Sequence, residues 1–421
     1  MSGLETIFSI EHAAIRFGRG ALAETGQEAR ALDLRRVLLV TDPQVRRLPA
    51  FATVQAALAE AGVEAVVFDR VAVEPTDTAM LDAARAAAEA AVDGFVSLGG
   101  GSAMDTAKAA NLLSTYPAPI TDYVSAPAGR AVPVPGPLKP HIACPTTFGT
   151  GAETTGILIV DLTEEEVKTG VVSRRIRPTL GILDPGTLET LPGSVIAANG
   201  FDVLSHAIES FTARPFHERP APATASARPL SQGANPYSAF AALEAVQLVA
   251  ANLETAVRHR DPAALEQLAF AGLLAGVGFG NAGCHLPHAM SYPVAALVRD
   301  WRPEGWVTDG PMVPHGIAVA VNAPSALRWA GRAQPGRFAP VAAALGARET
   351  ADPGDAVADA LLGLMTRTGL PVNLARMGFT SADIPTLAEG AARQRRLTDN
   401  APLPPAISDF EAMYREALIQ G

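Results

Sequence analysis

Gly94-Phe95-Val96-Ser97-Leu98-Gly99-Gly100-Gly101-Ser102-Ala103-Met104-Asp105-Thr106-Ala107-Lys108 decides how the first half of the chain is built. Its opening residues form a short apolar run that reads as a buried strand. Three glycines follow, and then an alanine-rich run of helical character. Glycine after a strand lets the backbone approach a ligand closely. The helix behind it offers free N–H groups and the positive end of its dipole. Together they make a cradle for a pyrophosphate. A tight turn with Ser102 as N-cap and Asp105 three residues on accounts for the same residues as a capping box. The two readings are compatible.

Working outward, residues 35–42 and 64–69 read as strands, and 45–61 and 78–91 as helices. Residues 141–147, 157–161, 168–173 and 179–184 read as further strands. This alternation predicts a parallel sheet covered by helices. Residues 116–140 hold seven prolines and read as an irregular surface connection. The stretch Pro145-Thr146-Thr147-Phe148-Gly149-Thr150-Gly151-Ala152-Glu153-Thr154-Thr155 is dense in hydroxyls and glycine. It suits the lining of a phosphate or ribose, or a polar turn between strands. After Pro192 the strands stop, and helices are expected over 194–210, 238–258, 262–275, 283–298, 315–329, 355–366 and 408–419. The chain therefore divides into an α/β domain over 1–192 and an all-helical domain over 193–421.

The helical half carries the second informative stretch, Gly200-Phe201-Asp202-Val203-Leu204-Ser205-His206-Ala207-Ile208-Glu209-Ser210. Asp202 and His206 are four apart, so on a helix they lie on one face a turn apart. They make half a metal site, or an exposed Asp–His pair. His288, in Asn281-Ala282-Gly283-Cys284-His285-Leu286-Pro287-His288, and His315, in Pro314-His315-Gly316, are two further imidazoles that complete a metal set.

The 421 residues are enough for two domains, and 48% hydrophobic with 18% charged residues fits a large buried core. No run of eighteen apolar residues reads as a membrane span. The first residues lack the basic start and apolar core of a signal peptide, and Glu5 and Glu11 do not suit a transit peptide. Cys144 and Cys284 make no disulfide framework. A cytoplasmic location is expected. The formal net charge of −10 disfavours nucleic acid as a partner. Residues 212–236 carry Arg214, Arg219 and Arg228 among five prolines. They read as a solvated loop or as a cationic wall over an active site.

Taken in order, Asp42 after the first strand, Gly-Gly-Gly-Ser-x-x-Asp, Pro-Thr-Thr-x-Gly-Thr-x-x-Glu, Asp-x-x-x-His, His-Ala-Met and Pro-His-Gly resemble the iron-activated, group III alcohol dehydrogenase family. Lys168-Thr-Gly, Arg177-Pro-Thr-Leu-Gly, Gln232-Gly-Ala-Asn-Pro and the run from Gly278 to Pro293 are similar to its hydroxyacid–oxoacid transhydrogenase branch. The resemblance implies a Rossmann-like nucleotide domain and an all-α domain, the dehydroquinate synthase-like fold, with metal and substrate in the cleft between them. It implies that Asp202, His206, His288 and His315 hold one divalent metal, Fe(II) or Zn(II). It places Gly100, Gly101 and Ser102 on the pyrophosphate, and Thr146, Thr155 and Lys168 beside the ribose and nicotinamide. Glu74, Asp105 and Thr147 join them as candidate cofactor-binding residues. Asp42 matches the adenosine-ribose position, where a carboxylate accepts from the diol and repels a 2′-phosphate, favouring NAD. An Asp before Pro43 also suits a turn.

Two positions depart from the family. Tyr292 stands where most members have a second histidine that relays the alcohol proton, and His285 is an extra imidazole predicted one helical turn before His288. Both are candidate catalytic residues. The expected reaction is hydride transfer between NAD(H) and an alcohol or hydroxy acid. In the transhydrogenase form an oxo acid takes the hydride back, with 4-hydroxybutyrate and 2-oxoglutarate as the type substrates and Arg214, Arg219 and Arg228 as carboxylate partners. Expected partners are small-molecule hydroxy and oxo acids and further copies of the chain, a dimer or larger, with neither nucleic acid nor membrane. The alternatives are an NAD-dependent alcohol or 4-hydroxybutyrate dehydrogenase that releases NADH, a sugar-phosphate cyclase, and a non-catalytic nucleotide-binding relative.

Overall fold

The computed structural model describes residues 3–164, 167–306, 308 and 310–421. They fall into two compact units, His12–Thr190 and a second made of Leu191–Gly421 with the first eleven residues.

In the first unit the strands are β1 (Ala14–Phe17), β2 (Arg36–Val40), β3 (Glu64–Phe68), β4 (Gly94–Gly99), β5 (His141–Pro145), β6 (Ile157–Leu162), β7 (Val167–Val172) and β8 (Leu180–Leu183). The helices are α1 (Thr25–Ala31), α2 (Pro49–Glu60), α3 (Asp77–Glu89), α4 (Gly101–Thr115) and the short α5 (Ile120–Tyr123). Six strands pair in parallel in the order β1-β8-β5-β4-β2-β3. Strand side chains alternate between faces, which gives each sheet face its own core. Val37 and Leu39 pack with Val54 and Leu58 of α2. Leu38 and Val40 pack with Met80 of α3 and Ala107 of α4. From β2 the chain moves outward to β3, and from β4 it moves the opposite way to β5. The carboxyl ends of β2 and β4 thus flank the point where strand order reverses, the place where open α/β sheets bind nucleotides.

β6 and β7 form a separate antiparallel hairpin. α4 anchors it: Asp105 Oδ2 accepts from the Ile159 N–H at 3.0 Å, and Lys108 Nζ donates to the Ile157 carbonyl at 2.6 Å. Lys108 is buried and also pairs with Asp105 at 3.4 Å, which matches its charge as a buried ammonium requires.

Among the described residues of the second unit the regular elements are helices, chiefly α6 (Gly193–Thr212), α7 (Pro236–His259), α8 (Pro262–Ala282), α9 (Leu286–Ala296), α10 (His315–Ala333), α11 (Pro335–Ala344), α12 (Pro353–Thr368), α13 (Ile384–Ala392), α14 (Arg395–Thr398) and α15 (Ile407–Ile419). Asn235 and Ser238 close a capping box at the start of α7, and Arg260 in the left-handed region ends it. Asp261 caps α8 at once, so the two helices fold back on each other. By length and mean hydropathy α7 and α8 reach what a membrane span needs, although polar residues such as Glu244 and Glu266 interrupt them. Most of α8 is buried against α7 and α6, which explains its apolarity as a core helix.

Two expectations need correction. Gly283, at φ +85°, ends α8, and α9 begins only at Leu286, so residues 283–285 are a break between helices. The α/β unit ends at Thr190, and residues 3–11 belong with the helices. Glu5 there pairs with Arg228 at 3.0 Å, the Ser9 N–H donates to Gln232 at 2.8 Å, and the Glu11 N–H donates to Asn281 at 2.8 Å.

His141 on β5 makes the α/β unit acid-sensitive. Burial disfavours its charged form and pulls its pKa down to about 3. The unfolded chain protonates this ring below about pH 6.5 and the folded unit does not, so stability falls as pH drops through that window toward 3. In melts between pH 7 and pH 5 the wild type should lose on the order of 2 kcal/mol more than His141→Gln. Equal losses in the two proteins would refute the assignment.

Candidate metal centre and nucleotide site

α6 presents Asp202, His206 and Glu209 on one face because they are spaced four and three apart. α9 brings His288 and the first turn of α10 brings His315. Gly316 permits this approach: a Cβ there would meet the Ala198 carbonyl oxygen of α6 at 2.3 Å. The ligand atoms of Asp202, His206, His288 and His315 all lie within 4.8 Å of one another. Asp202 Oδ1 is 3.7 Å from His206 Nδ1, 3.7 Å from His288 Nε2 and 3.6 Å from His315 Nε2. The Nε2 atoms of His206 and His288 are 3.0 Å apart.

These residues fit a divalent ion. Bonds of about 2.0–2.2 Å put the ligand atoms of a tetrahedral site roughly 3.3–3.6 Å apart, close to the spacings found. Asp202 Oδ1 is buried and has no hydrogen-bond partner, a cost that a cation removes. Burial pushes the Asp202 carboxyl up, yet His206, His315 and His288 together hold it down at about 2. One carboxylate and three imidazoles suit iron(II) and zinc alike. His315 is the most open of the four, with its side chain 32% exposed.

Sequence reasoning missed three neighbours. Glu209 is fully buried, and its Oε1 accepts from His288 Nδ1 at 2.6 Å. Phe279 stacks flat on His206, with ring centroids 4.0 Å apart. Cys284 lies within ligand distance of Glu209 and His288. Glu209 was legible, since it continues the face of α6 that carries Asp202 and His206; Phe279 and Cys284 had no comparable signal.

His285 is placed differently from expectation. It is the N-cap of α9, with Nδ1 accepting from the Leu286 N–H at 2.7 Å and Nε2 bonded to the Thr212 hydroxyl at 2.9 Å. Both ring nitrogens are engaged, and burial lowers its pKa to about 4, so it serves as a helix cap tied to α6. Tyr292 is one turn beyond His288, and its ring centroid is 6.4 Å from that of His315. The arginines are engaged by partners inside their loop and beyond it. Arg214 donates to the Glu218 carbonyl, Arg219 to Asn400 and the Ser231 carbonyl, and Arg228 to Glu5. These contacts fold the loop and do not single out a carboxylate site.

The candidate nucleotide residues gather at the carboxyl ends of the strands. Asp42 Oδ1 accepts from the Gln44 and Val45 N–H groups at 2.8 and 2.9 Å, while Oδ2 lies against Gly99, 3.5 Å from where a Cβ would stand. One oxygen thus builds the turn and the other faces the glycines. Gly101 has no room for a side chain, since a Cβ would be 2.8 Å from Thr150 Cγ2. A Cβ at Gly100 would meet Thr147 at 3.4 Å. The Thr146 N–H donates to the Gly99 carbonyl at 2.9 Å. No side chain caps α4, whose N-cap is Gly100 and not Ser102, so its end keeps donors for an anion. The Ser102 hydroxyl accepts from the Glu74 N–H at 3.3 Å, and Glu74 pairs with Lys168 at 2.8 Å. Thr155 is buried just ahead of β6. Asp105 bonds Lys108 through one oxygen and the Ile159 N–H through the other, so it supports the scaffold of the loop.

Two family models match the chain. Residues 13–185 match iron-containing alcohol dehydrogenase, and residues 229–418 match the C-terminal region of the iron-containing alcohol dehydrogenase family. The chain belongs to the iron-containing alcohol dehydrogenase family. It is a metal-dependent oxidoreductase. Within the family it is 42% identical to the mitochondrial hydroxyacid-oxoacid transhydrogenase of Bos taurus and 41% identical to that of Homo sapiens, over 99% of this chain and 91% of each relative. Among solved structures, a 1,3-propanediol oxidoreductase matches with TM-score 0.86 and 29% identity, covering 98% of this chain and all of that one. A sulfoacetaldehyde reductase from Bifidobacterium kashiwanohense, in complex with NAD+, matches with TM-score 0.81 and 26% identity over 99% of this chain and 100% of that one. The cytoplasmic expectation is overturned by the transhydrogenases, whose names are mitochondrial. Cellular address is read from a targeting segment outside the fold, which composition does not report.

Asp202→Ala should lower metal affinity by more than about 100-fold, beyond the 10–100-fold typical of outer-shell changes. Metal analysis after gel filtration, with turnover in parallel, checks this; a variant that keeps both metal and activity would break the assignment.

Proposed function

We propose that this alcohol dehydrogenase relative is a hydroxyacid–oxoacid transhydrogenase, oxidising a short hydroxy acid of the 4-hydroxybutyrate type and passing the hydride to an oxo acid of the 2-oxoglutarate type. What carries the reading is the near full-length match to transhydrogenases in a chain that keeps Asp202, His206, His288 and His315 clustered. When bound, the metal supplies Lewis-acid polarisation of the alcohol oxygen and NAD supplies the hydride acceptor.

The chain's own residues divide the remaining work. Asp42, Gly100, Gly101, Ser102, Thr146 and Thr147 hold the dinucleotide, with the free oxygen of Asp42 selecting a ribose diol over a 2′-phosphate. Asp202, His206, His288 and His315 fix the ion and leave the exposed side of His315 for substrate. The alcohol proton must leave as the hydride moves. Tyr292, beside His315, is the side chain we assign to it, since a phenol both donates and accepts. If so, Tyr292→Phe lowers kcat by about 10²-fold or more, within the range of a positioned acid–base group, and leaves bound metal unchanged. A loss under threefold removes Tyr292 from the reaction.

The resemblance to structures of ordinary alcohol dehydrogenases at 25% identity and above supports a second reading, in which NADH leaves after each turnover. Metal-replete protein given 4-hydroxybutyrate and catalytic NAD decides between them. Product that appears only when 2-oxoglutarate is added, with little free NADH at 340 nm, is the expected result. Steady release of NADH without an oxo acid overturns it.

A further inference from the structure

We propose that Glu209 is a positioning residue for the metal centre, fixing His288 as an Nε2 ligand and tying it to the start of α9. The inference rests on the reading of the four-residue cluster as a metal site.

The Glu209 carboxylate has no exposed surface and makes two short contacts. Oε1 is 2.6 Å from His288 Nδ1, and Oε2 is 2.5 Å from the His285 N–H. A carboxylate only accepts, so His288 Nδ1 must carry the proton. In a neutral imidazole the other nitrogen then keeps its lone pair. That nitrogen, Nε2, is the one aimed into the cluster, 3.0 Å from His206 Nε2 and 3.7 Å from Asp202 Oδ1. One carboxylate thereby chooses the ligating atom and the ring orientation together.

The same carboxylate fixes where the ring is mounted. The His285 backbone N–H bonds to Oε2, and the His285 ring bonds to Thr212 on α6, the helix that also carries Glu209, Asp202 and His206. α6 therefore supplies two ligands directly and clamps the first turn of α9, which supplies the third. Outer partners of this kind set ligand basicity and orientation. Glutamine tests the role because it keeps the shape but offers one acceptor oxygen and one amide nitrogen. Facing two N–H donors, it must leave one of them against another donor.

The experiment compares wild type, Glu209→Gln and Asp202→Ala, stripped of metal and titrated with zinc against a chromophoric chelator. Glu209→Gln should bind zinc about 10–100-fold more weakly than wild type, while the metal-free variant melts as one cooperative unit. Affinity within twofold of wild type, in a series where Asp202→Ala loses zinc, overturns the role of Glu209 alone. Wild-type affinity in Asp202→Ala overturns the metal reading itself. A second measurement does not depend on the variant folding. In zinc-loaded wild type labelled with 15N-histidine, His288 should show a protonated Nδ1 and a metal-bound Nε2. An unprotonated or metal-bound Nδ1 refutes the proposal.

Discussion

One carboxylate oxygen, Asp202 Oδ1, sits within 3.7 Å of nitrogens from three histidines on three helices, and it has no hydrogen bond of its own. A buried charge left that way is expensive. The arrangement makes physical sense as a socket for a cation, and the packing of the helical unit follows from it. α6 must run straight enough to place Asp202, His206 and Glu209 on one face. α10 must begin close to α6, which requires Gly316. α9 must start late, after the break at Gly283, so that His288 falls in its first turn. Each requirement is local, but all three are needed to bring the ligand atoms within reach of one point.

The α/β unit meets a different constraint. Its candidate site is built from backbone: bare glycines, an uncapped helix end and a threonine-rich turn. Such a site works only if the sheet holds the loops still, and the two cores on opposite faces of β2 and β4 supply that rigidity. Asp105 and Lys108, which resemble site residues in sequence, serve here to lock the β6–β7 hairpin onto α4. Residues that define a nucleotide motif can thus belong to its scaffold.

The strands flanked by turns and glycines were legible because an apolar run with clear ends leaves few alternatives. β1 was not, because its residues alternate between exposed and half-buried at the sheet edge, which gives no apolar run. The four metal ligands were readable as an ordered set through family resemblance, while Glu209 was readable from spacing alone and was overlooked. His285 misled because helical periodicity was extended across Gly283, whose positive φ stops it. The partners of the arginines were not legible, because a charge count does not reveal residues such as Glu5 that lie more than two hundred positions away.

That distant pairing has a consequence for synthesis. Residues 3–11 dock on Arg228, Gln232 and Asn281, so the helical unit is assembled from both ends of the chain. The α/β unit, contiguous from His12 to Thr190, has all its parts on leaving the ribosome before most of the helices exist. Residues 3–11 are made before their partners and pair with them only after the intervening sheet has been synthesised. The nucleotide half can therefore mature early, and the metal half is the last to close.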